Sequence, residues 1–316
     1  MGVTFVKSIK NFIKKKYSYI AFIIVLIITA IIFILNKNEN SLPTFFIVDN
    51  NKIVNEDLNG DGYKDALYIK TDDNNYLVQI NLSNKISYSL NPNKDILTLG
   101  EHKTYWPMKV ILEDVSRDNV KEIFIQSSIN EKSIQHIFRF NGEGYENIYS
   151  SYYNILGFLD SKNNKTPKIV TGNFKNNETK LENHIFINNK FKTFEYAYPD
   201  NYIGSKLICD FISFIENFPN INTNIPNYFS TYISGNELSM VYQLSSKNTT
   251  YHFQDGFFKE ISYDSQDRPL EVKWTLNFKG IEKNDYKVIN NYTIDLMLAK
   301  KAFEREYMIT SINVRK

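Results

Sequence analysis

The chain has 316 residues, of which 42% are hydrophobic, so it is long enough for a membrane anchor and two domains of ordinary size. Its 37 Lys and Arg residues against 35 Asp and Glu residues give a net charge of +2, but five of the lysines fall within residues 1–16, which hold no acidic residue. Removing these five of the 37 leaves 32 basic residues against the 35 acidic ones, and this mildly acidic remainder excludes a broad nucleic-acid-binding face.

The first predicted element is a membrane anchor, "YSYIAFIIVLIITAIIFIL", at residues 17–35. A helix of this length extends roughly 28 Å, close to the hydrocarbon thickness of a bilayer. The lysine-rich tail at 1–16 predicts a cytoplasmic N-terminus. The alternatives are a cleaved signal peptide and a buried soluble helix. The apolar run is longer than a signal-peptide core of about 7–15 residues, and the "NKNENSLP" that follows has no small-x-small cleavage site.

The chain is therefore expected to be a single-pass protein of the cell membrane, with a linker at 36–43 and the bulk outside the cytoplasm. Cys209 is its only cysteine and cannot form an internal disulfide, so a core, a metal or a partner must stabilise the exported part. The abundance of Asn, Lys and Ile is typical of AT-rich bacterial genomes.

Residues 44–200 contain three related segments, "DLNGDGYKDALYIK" from 57, "DVSRDNVKEIFIQ" from 114 and "DSKNNKTPKIVTG" from 160. Each has a short apolar strand before a polar loop of nine residues and an alternating apolar strand after it. Two further strands with a polar turn between them follow in each unit, as in a β-hairpin. Three four-stranded units at such spacing predict an all-β, propeller-like domain of about three blades.

The order strand, D-x-N-x-D-G-x-x-D loop, strand resembles the FG-GAP or VCBS repeats of bacterial surface proteins. That resemblance covers about residues 44–200, is close in the first copy and weakens in the later ones. It implies a β-propeller with calcium in the loop. A closed propeller usually needs at least four blades, so an open stack of three sheets and a fourth blade from the C-terminal region are both open.

The first loop offers oxygen atoms at the spacing that calcium prefers. Side chains at loop positions 1, 3, 5 and 9 and the carbonyl at position 7 are the predicted ligands: Asp57, Asn59, Asp61, Asp65 and Tyr63. Gly62 permits the positive φ of the turn. Position 12 is Tyr68 and the flanks are strands, which excludes an EF-hand. The alternative is a polar turn without metal, but three converging carboxylates would repel one another without a cation.

The later loops are weaker calcium candidates. The second keeps Asp114, Ser116, Asp118 and Glu122 at the four ligand positions but has Asn119 in place of the glycine, so it is a weaker second site. The third has Asp160, Lys162, Asn164 and Lys168, which predicts no calcium and a lysine in the space of the ion. Loss of the ion together with the charges indicates a structural role for the metal.

Two histidines, His136 and His184, each begin an "HIF" strand. Their equivalence in the repeat favours a repeated packing solution over a metal pair.

Residues 201–316 are predicted to form a separate α+β domain. "GSKLICDFISFIENFP" reads as one helix with Ser205 as its cap and Ile208, Phe211, Ile215 and Phe218 on one face. Cys209 is expected to be a packed residue of this helix. Strands then dominate, as in "EVKWTLNF" at 271–278. Element order alone resembles cystatin-like and NTF2-like folds. "AKKAFERE" at 299–306 is expected to be a solvated connection.

These features predict a non-enzymatic membrane protein whose calcium-stabilised β-repeat and α+β domains bind a protein or a cell-wall glycan outside the cytoplasm. The alternatives are an extracytoplasmic hydrolase and a sensor that relays through a partner protein. The hydrolase lacks sequence support, because the chain has neither G-x-S-x-G nor H-E-x-x-H. No catalytic residue is predicted.

Overall fold

The fold is described from a computed structural model. The described residues are 46–47, 53–92, 95–161, 163–175, 178–187, 190–194, 202–219, 226–300 and 306–316. The predicted tail, anchor and linker at 1–43 lie outside these ranges, as do Lys162 and most of the 299–306 segment. Within the described ranges, no helix combines the length and apolar character needed to cross a membrane.

The chain is mostly β-sheet, and three four-stranded antiparallel meanders follow one another. A short strand β1 (Phe46–Ile47) precedes them and pairs with the first strand of the second meander. The first meander contains β2 (Ile53–Glu56), β3 (Asp65–Asp72), β4 (Asn75–Asn81) and β5 (Ser87–Ser89). The second contains β6 (Lys109–Glu113), β7 (Glu122–Ile129), β8 (Lys132–Phe140) and β9 (Tyr145–Ser151). The third contains β10 (Ile155–Leu159), β11 (Lys168–Lys175), β12 (Glu178–Ile187) and β13 (Lys190–Phe194).

The predicted strand on each side of every nine-residue loop is therefore present, and all four strands that the repeat predicted are found in each meander. Alternation along the strands explains how the meanders pack. In β6, Val110 and Leu112 belong to the core shared with the first meander, whereas Ile111 belongs to the core shared with the third. A strand that sends alternate apolar residues to both sides is buried on both faces.

Two α-helices and four long strands complete the described part of the fold, and a 3-10 turn at Tyr202–Gly204 precedes the first helix. The helices are α1 (Ser205–Glu216) and α2 (Gly235–Ser246). The strands are β14 (Thr249–Tyr263), β15 (Pro269–Glu282), β16 (Asp285–Ala299) and β17 (Met308–Arg315). The predicted apolar face of α1 is correct, because Ile208, Phe211 and Ile215 are fully buried. They pack in one core with residues of β10, β11 and the C-terminal strands.

Two details of the helices differ from the sequence prediction. Ser205 is the first residue of α1 and not its cap. The N-cap is Gly204, at φ 73°, without a side-chain hydrogen bond. The second helix, α2, was not predicted, although Ser234 and Glu237 form a capping box at its start. Only Val241 and Leu244 of α2 are buried, so its apolar periodicity is weak.

The third meander continues directly into the C-terminal strands. β10 pairs in parallel with β14, with Ile155 opposite Gly256, and the result is one eight-stranded sheet. Residues from Phe45 to Lys316 form a single compact unit. The boundary predicted at residue 200 therefore does not separate two independently packed regions, and β14–β17 extend the third sheet instead of forming a separate fourth blade.

Candidate functional site

The first nine-residue loop connects β2 to β3 and turns around the carboxylate of Asp57. One oxygen of Asp57 accepts a hydrogen bond from the N–H of Gly60 at 2.7 Å, and the other accepts from the N–H of Gly62 at 2.8 Å. Both glycines have positive φ, 80° and 83°, which suits residues without a Cβ. Asp61 accepts from the N–H of Tyr63 at 2.8 Å, and this bond is the main reason that the pKa of Asp61 is lowered.

The acidic residue at loop position 9 has a structural function that sequence reasoning missed. Asp65 is 1% exposed, and its two oxygens accept from the N–H groups of Leu58 and Ser83, both at 2.9 Å. Glu122 occupies the same position in the second loop and accepts from the N–H of Val115 at 2.9 Å. In both loops this carboxylate therefore bonds to the backbone at position 2 and closes the loop.

The second loop repeats the geometry of the first and receives a cation from a neighbouring strand. Asp114 accepts from the N–H groups of Arg117 and Asn119 at 2.6 and 3.0 Å. Asn119 adopts the left-handed φ of 68° that the missing glycine would have had. The guanidinium of Arg139, on β8, donates to Asp118 at 2.9 Å. Burial alone would raise the pKa of Asp118, but the Arg139 hydrogen bond lowers it below its ordinary value.

The third loop is closed by an ammonium group. Lys168 at position 9 forms an ion pair with Asp160 at position 1, in agreement with the prediction that a lysine takes the place of the ion. The backbone N–H of Asp160 donates to Glu260 of β14 at 2.7 Å. This carboxylate comes from the C-terminal strands and not from the loop itself.

The three loops lie side by side in a continuous row. A Cβ on Gly60 in the first loop would come within 2.7 Å of Val120 in the second. Arg117 in the second loop donates to the carbonyls of Asn163 and Lys165 in the third at 2.6 and 2.5 Å. A change at one loop is therefore transmitted by direct contact to its neighbour.

The donor set of the first loop matches calcium in chemistry and in charge, but only in part in arrangement. Asp57, Asp61 and Asp65 have no ion pair with any Lys or Arg of the described residues, unlike Asp118 in the second loop and Asp160 in the third. Each carboxylate oxygen that accepts one N–H retains a second lone pair. However, no three His, Cys, Asp or Glu side chains converge at metal-binding distance within the described ranges. Asp65 points into the fold, whereas Asp61 is exposed.

The two histidines are buried separately, and both ring nitrogens of each are in hydrogen-bonding contact. His136 contacts the hydroxyl of Ser150 at 2.9 Å and the carbonyl of Thr98 at 3.0 Å. His184 contacts two threonine hydroxyls at 2.8 and 2.9 Å. Burial lowers the pKa of each histidine to about 4. The two histidines are equivalent in sequence but not in their position within the sheets. His136 pairs with Ile125, the fourth residue of β7, whereas His184 pairs with Ile169, the second residue of β11.

A cleft of about 390 Å³ lies where the second meander, the third meander, α1 and β14 meet. No motif in the sequence pointed to it, because its wall comes from six separate stretches of chain. Its aromatic residues are Trp106, Tyr152, Phe174 and Phe253, and its amides are Asn154, Asn173 and Gln254. Glu131, Lys132, Lys175 and Glu216 also line it, so these acidic and basic side chains balance.

A buried polar network is connected to this cleft through Trp106, one of the lining residues. Lys109 of β6 and Asp255 of β14 form an ion pair with both side chains fully buried and an Nζ–Oδ1 distance of 2.5 Å. Trp106 donates its indole N–H to Asp255 at 2.7 Å, and Asn277 donates to it at 2.8 Å. Burial lowers the pKa of Lys109, and the attraction of Asp255 opposes that shift.

Two of the residues that line the cleft each have a buried polar atom without a hydrogen-bond partner: the hydroxyl of Ser133 and the side-chain carbonyl of Gln254. Cys209 also lines the cleft as a free, buried thiol. Burial raises the pKa of Cys209, which disfavours the reactive thiolate.

No family model matches the chain, and no curated protein matches it.

Proposed function

We propose that this chain is a non-enzymatic binding protein, anchored by residues 17–35, that presents the cleft outside the cytoplasm to a protein or a cell-wall glycan. The observation that carries the proposal is the combination of an aromatic wall with amide side chains and unpartnered polar atoms in one cleft. Concave sites with apolar walls and a few convergent polar groups are typical of ligand binding.

The chemistry of the cleft favours binding over hydrolysis. A general acid or base works best with a pKa close to the working pH. Glu131 is far from that condition, because hydrogen bonds from Lys103 and Lys279 outweigh the effect of burial and lower its pKa to about 2. Glu216 accepts the N–H of Phe253 at 2.8 Å, and the thiol of Cys209 is held protonated by burial.

The binding test compares two exposed tyrosines. Tyr152 lines the cleft and is 52% exposed, whereas Tyr286 is 74% exposed and lies outside the cleft. The full-length chain in mild detergent is co-sedimented with bacterial cell envelopes, with and without protease treatment of the envelopes to distinguish a glycan from a protein partner. Tyr152→Ala should weaken binding by about tenfold, and Tyr286→Ala should leave it unchanged. Equal effects of the two substitutions would refute a role for the cleft.

Calcium in the first loop is a second part of the proposal, and it would serve stability. Asp57, Asn59, Asp61 and the carbonyl of Tyr63 would be the ligands at the exposed side, with Asp65 behind them. The support is that the carboxylates of this loop form no ion pair with a described Lys or Arg, whereas Asp118 pairs with Arg139 of β8 and Asp160 pairs with Lys168. Calcium at 100 times its Kd would stabilise the fold by about 2.7 kcal/mol.

The calcium test uses matched substitutions in two loops. Calcium should raise the melting temperature of the full-length chain, and Asp57→Asn should remove that response. Asp114→Asn, at the same position of the second loop, should leave the response in place. If calcium does not change the melting temperature of the unsubstituted chain, the calcium site is excluded, but the proposal for the cleft is unaffected.

A further inference from the structure

We propose that the ligand of the cleft is a short neutral saccharide, held by side chains and not by the protein backbone; this rests on the proposed function of the cleft as a binding site. Three features of the described residues lead to this proposal. The charged side chains of the cleft balance, its wall strands are paired on both edges, and some of its polar groups are free to bond to hydroxyls.

The charged residues of the cleft do not select a charged ligand. Both carboxylates already have partners, since Glu131 accepts from Lys103 and Lys279 at 2.8 Å each. Glu216 accepts the backbone N–H of Phe253. Lys132 and Lys175 are exposed at the edge, where water and salt screen their charge. A neutral ligand with hydroxyl or amide groups suits the remaining polar groups.

The strands that form the cleft have no free edge. β8 lies between β7 and β9, β11 between β10 and β12, and β14 between β10 and β15. An extended peptide binds to a sheet by adding a strand to an unpaired edge, and these three strands offer none. β9, which ends just before Tyr152, is paired only with β8 among the described strands, and the tripeptide in the experiment below tests its edge. Recognition by the three wall strands must come from side chains.

Those side chains have the properties that a sugar needs. The ring of Tyr152 is half exposed and gives a flat apolar surface for the C–H face of a pyranose. Asn154 already bonds to both backbone groups of Phe174, and Gln254 donates to the carbonyl of Tyr105, so the side-chain oxygen of Gln254 and the amide of Asn173 remain for the sugar hydroxyls. Gln254 lies at a break in the β14–β15 register, between Phe253 and Asp255. Such bulges commonly redirect a side chain beside a binding site.

The unpartnered atoms allow a specific test of this site, because their removal should affect stability and binding in opposite directions. A buried polar atom without a hydrogen bond lowers the stability of the free protein, so removing it should stabilise the fold. Ser133→Ala removes such a hydroxyl from the cleft wall. Ser128→Ala removes another unpartnered buried hydroxyl at the directly opposite position of β7, which does not line the cleft.

The experiment is isothermal titration of the full-length chain in detergent with neutral trisaccharides, N-acetylchitotriose and cellotriose. The comparison ligands are the cationic deacetylated chitotriose, the anionic trigalacturonate and a blocked neutral tripeptide. We expect at least one neutral sugar to bind, more tightly than either charged sugar, and the tripeptide not to bind. Ser133→Ala should weaken sugar binding by about 2- to 10-fold without lowering the melting temperature, and Ser128→Ala should leave binding unchanged.

Binding of the tripeptide without any sugar, or tighter binding of a charged sugar, would overturn the inference. Tyr152-dependent binding to envelopes combined with no binding of either neutral sugar would also overturn it, while leaving the proposed binding function in place. Failure of both measurements would remove the proposed function as well.

Discussion

Replacing Lys109 by methionine would leave the buried carboxylate of Asp255 without its counter-charge. Both side chains of the pair are completely buried, so water cannot take over the role of the ammonium group. Trp106 and Asn277 would still donate to Asp255, but neither carries a charge. Removing one partner of a buried pair typically costs about 3–5 kcal/mol, and Lys109→Met should lower the free energy of unfolding by that amount.

The double substitution separates the cost of an unpaired charge from the value of the pair. Asp255→Asn keeps an acceptor oxygen for Trp106 or Asn277, and together with Lys109→Met it removes both charges at nearly constant volume. The double variant should therefore lose less free energy of unfolding than the two single variants lose together, and the difference, the coupling energy, should be about 2 kcal/mol or more.

Urea unfolding of the full-length chain, followed by circular dichroism, gives these free energies if the slope against denaturant is unchanged. Lys180→Met is the matched control, because the Lys180 side chain is 71% exposed in its 3.3 Å pair with Glu182. It should change stability by less than about 1 kcal/mol. Additive effects of Lys109→Met and Asp255→Asn would show that the buried pair is not a coupled unit.

Three further substitutions, one of them with a matched control, test local features of the fold. The pKa of His184 is lowered to about 4 by burial against about 6.5 in the unfolded chain, so stability should fall from pH 6.5 toward 4. His184→Gln should remove this part of the slope, at most ~1.4 kcal/mol per pH unit, in urea titrations at several pH values. Ser234→Ala should cost about 1 kcal/mol through loss of the α2 cap, measured as a fall in melting temperature. A Cβ at Gly157 would lie 2.1 Å from the Phe258 ring, whereas one at Gly235 would meet nothing within 4 Å. Gly157→Ala should therefore destabilise by about 3 kcal/mol or more, and Gly235→Ala should have little effect on the same melting curve.

The meanders could be predicted from sequence because their signals are local. Each strand pairs with the next one along the chain, and the polar loop between them marks both ends. Alternation of apolar residues then places the buried side chains without knowledge of the rest of the fold. The helix face at Ile208, Phe211 and Ile215 was predictable for the same reason.

The parallel pairing of β10 with β14 had no such signal. "ILGFL" at Ile155–Leu159 is buried along its whole length, and a continuous apolar run indicates burial on both faces without naming a partner. The partner strand, β14, follows α1 and α2 in the chain, and identifying it requires knowledge of the packed structure. The cleft was hidden for the same reason, since Tyr152, Cys209 and Gln254 are brought together only by that pairing.

The three loops show why calcium binding by a weakened repeat cannot be inferred from the loop residues alone. The second copy keeps three carboxylates at its ligand positions, so by count it resembled a poorer version of the first. Its cation, Arg139, is on β8, outside the nine residues that define the motif. The acid at position 9 adds a second source of error, because Asp65 and Glu122 close the loop by bonding to the backbone, a function that needs no metal. Loop closure therefore accounts for the acid at position 9 without a metal, and cation binding by the first loop stays a prediction. The neighbouring strand supplies a cation to the second loop, whereas no described Lys or Arg forms an ion pair with the carboxylates of the first loop.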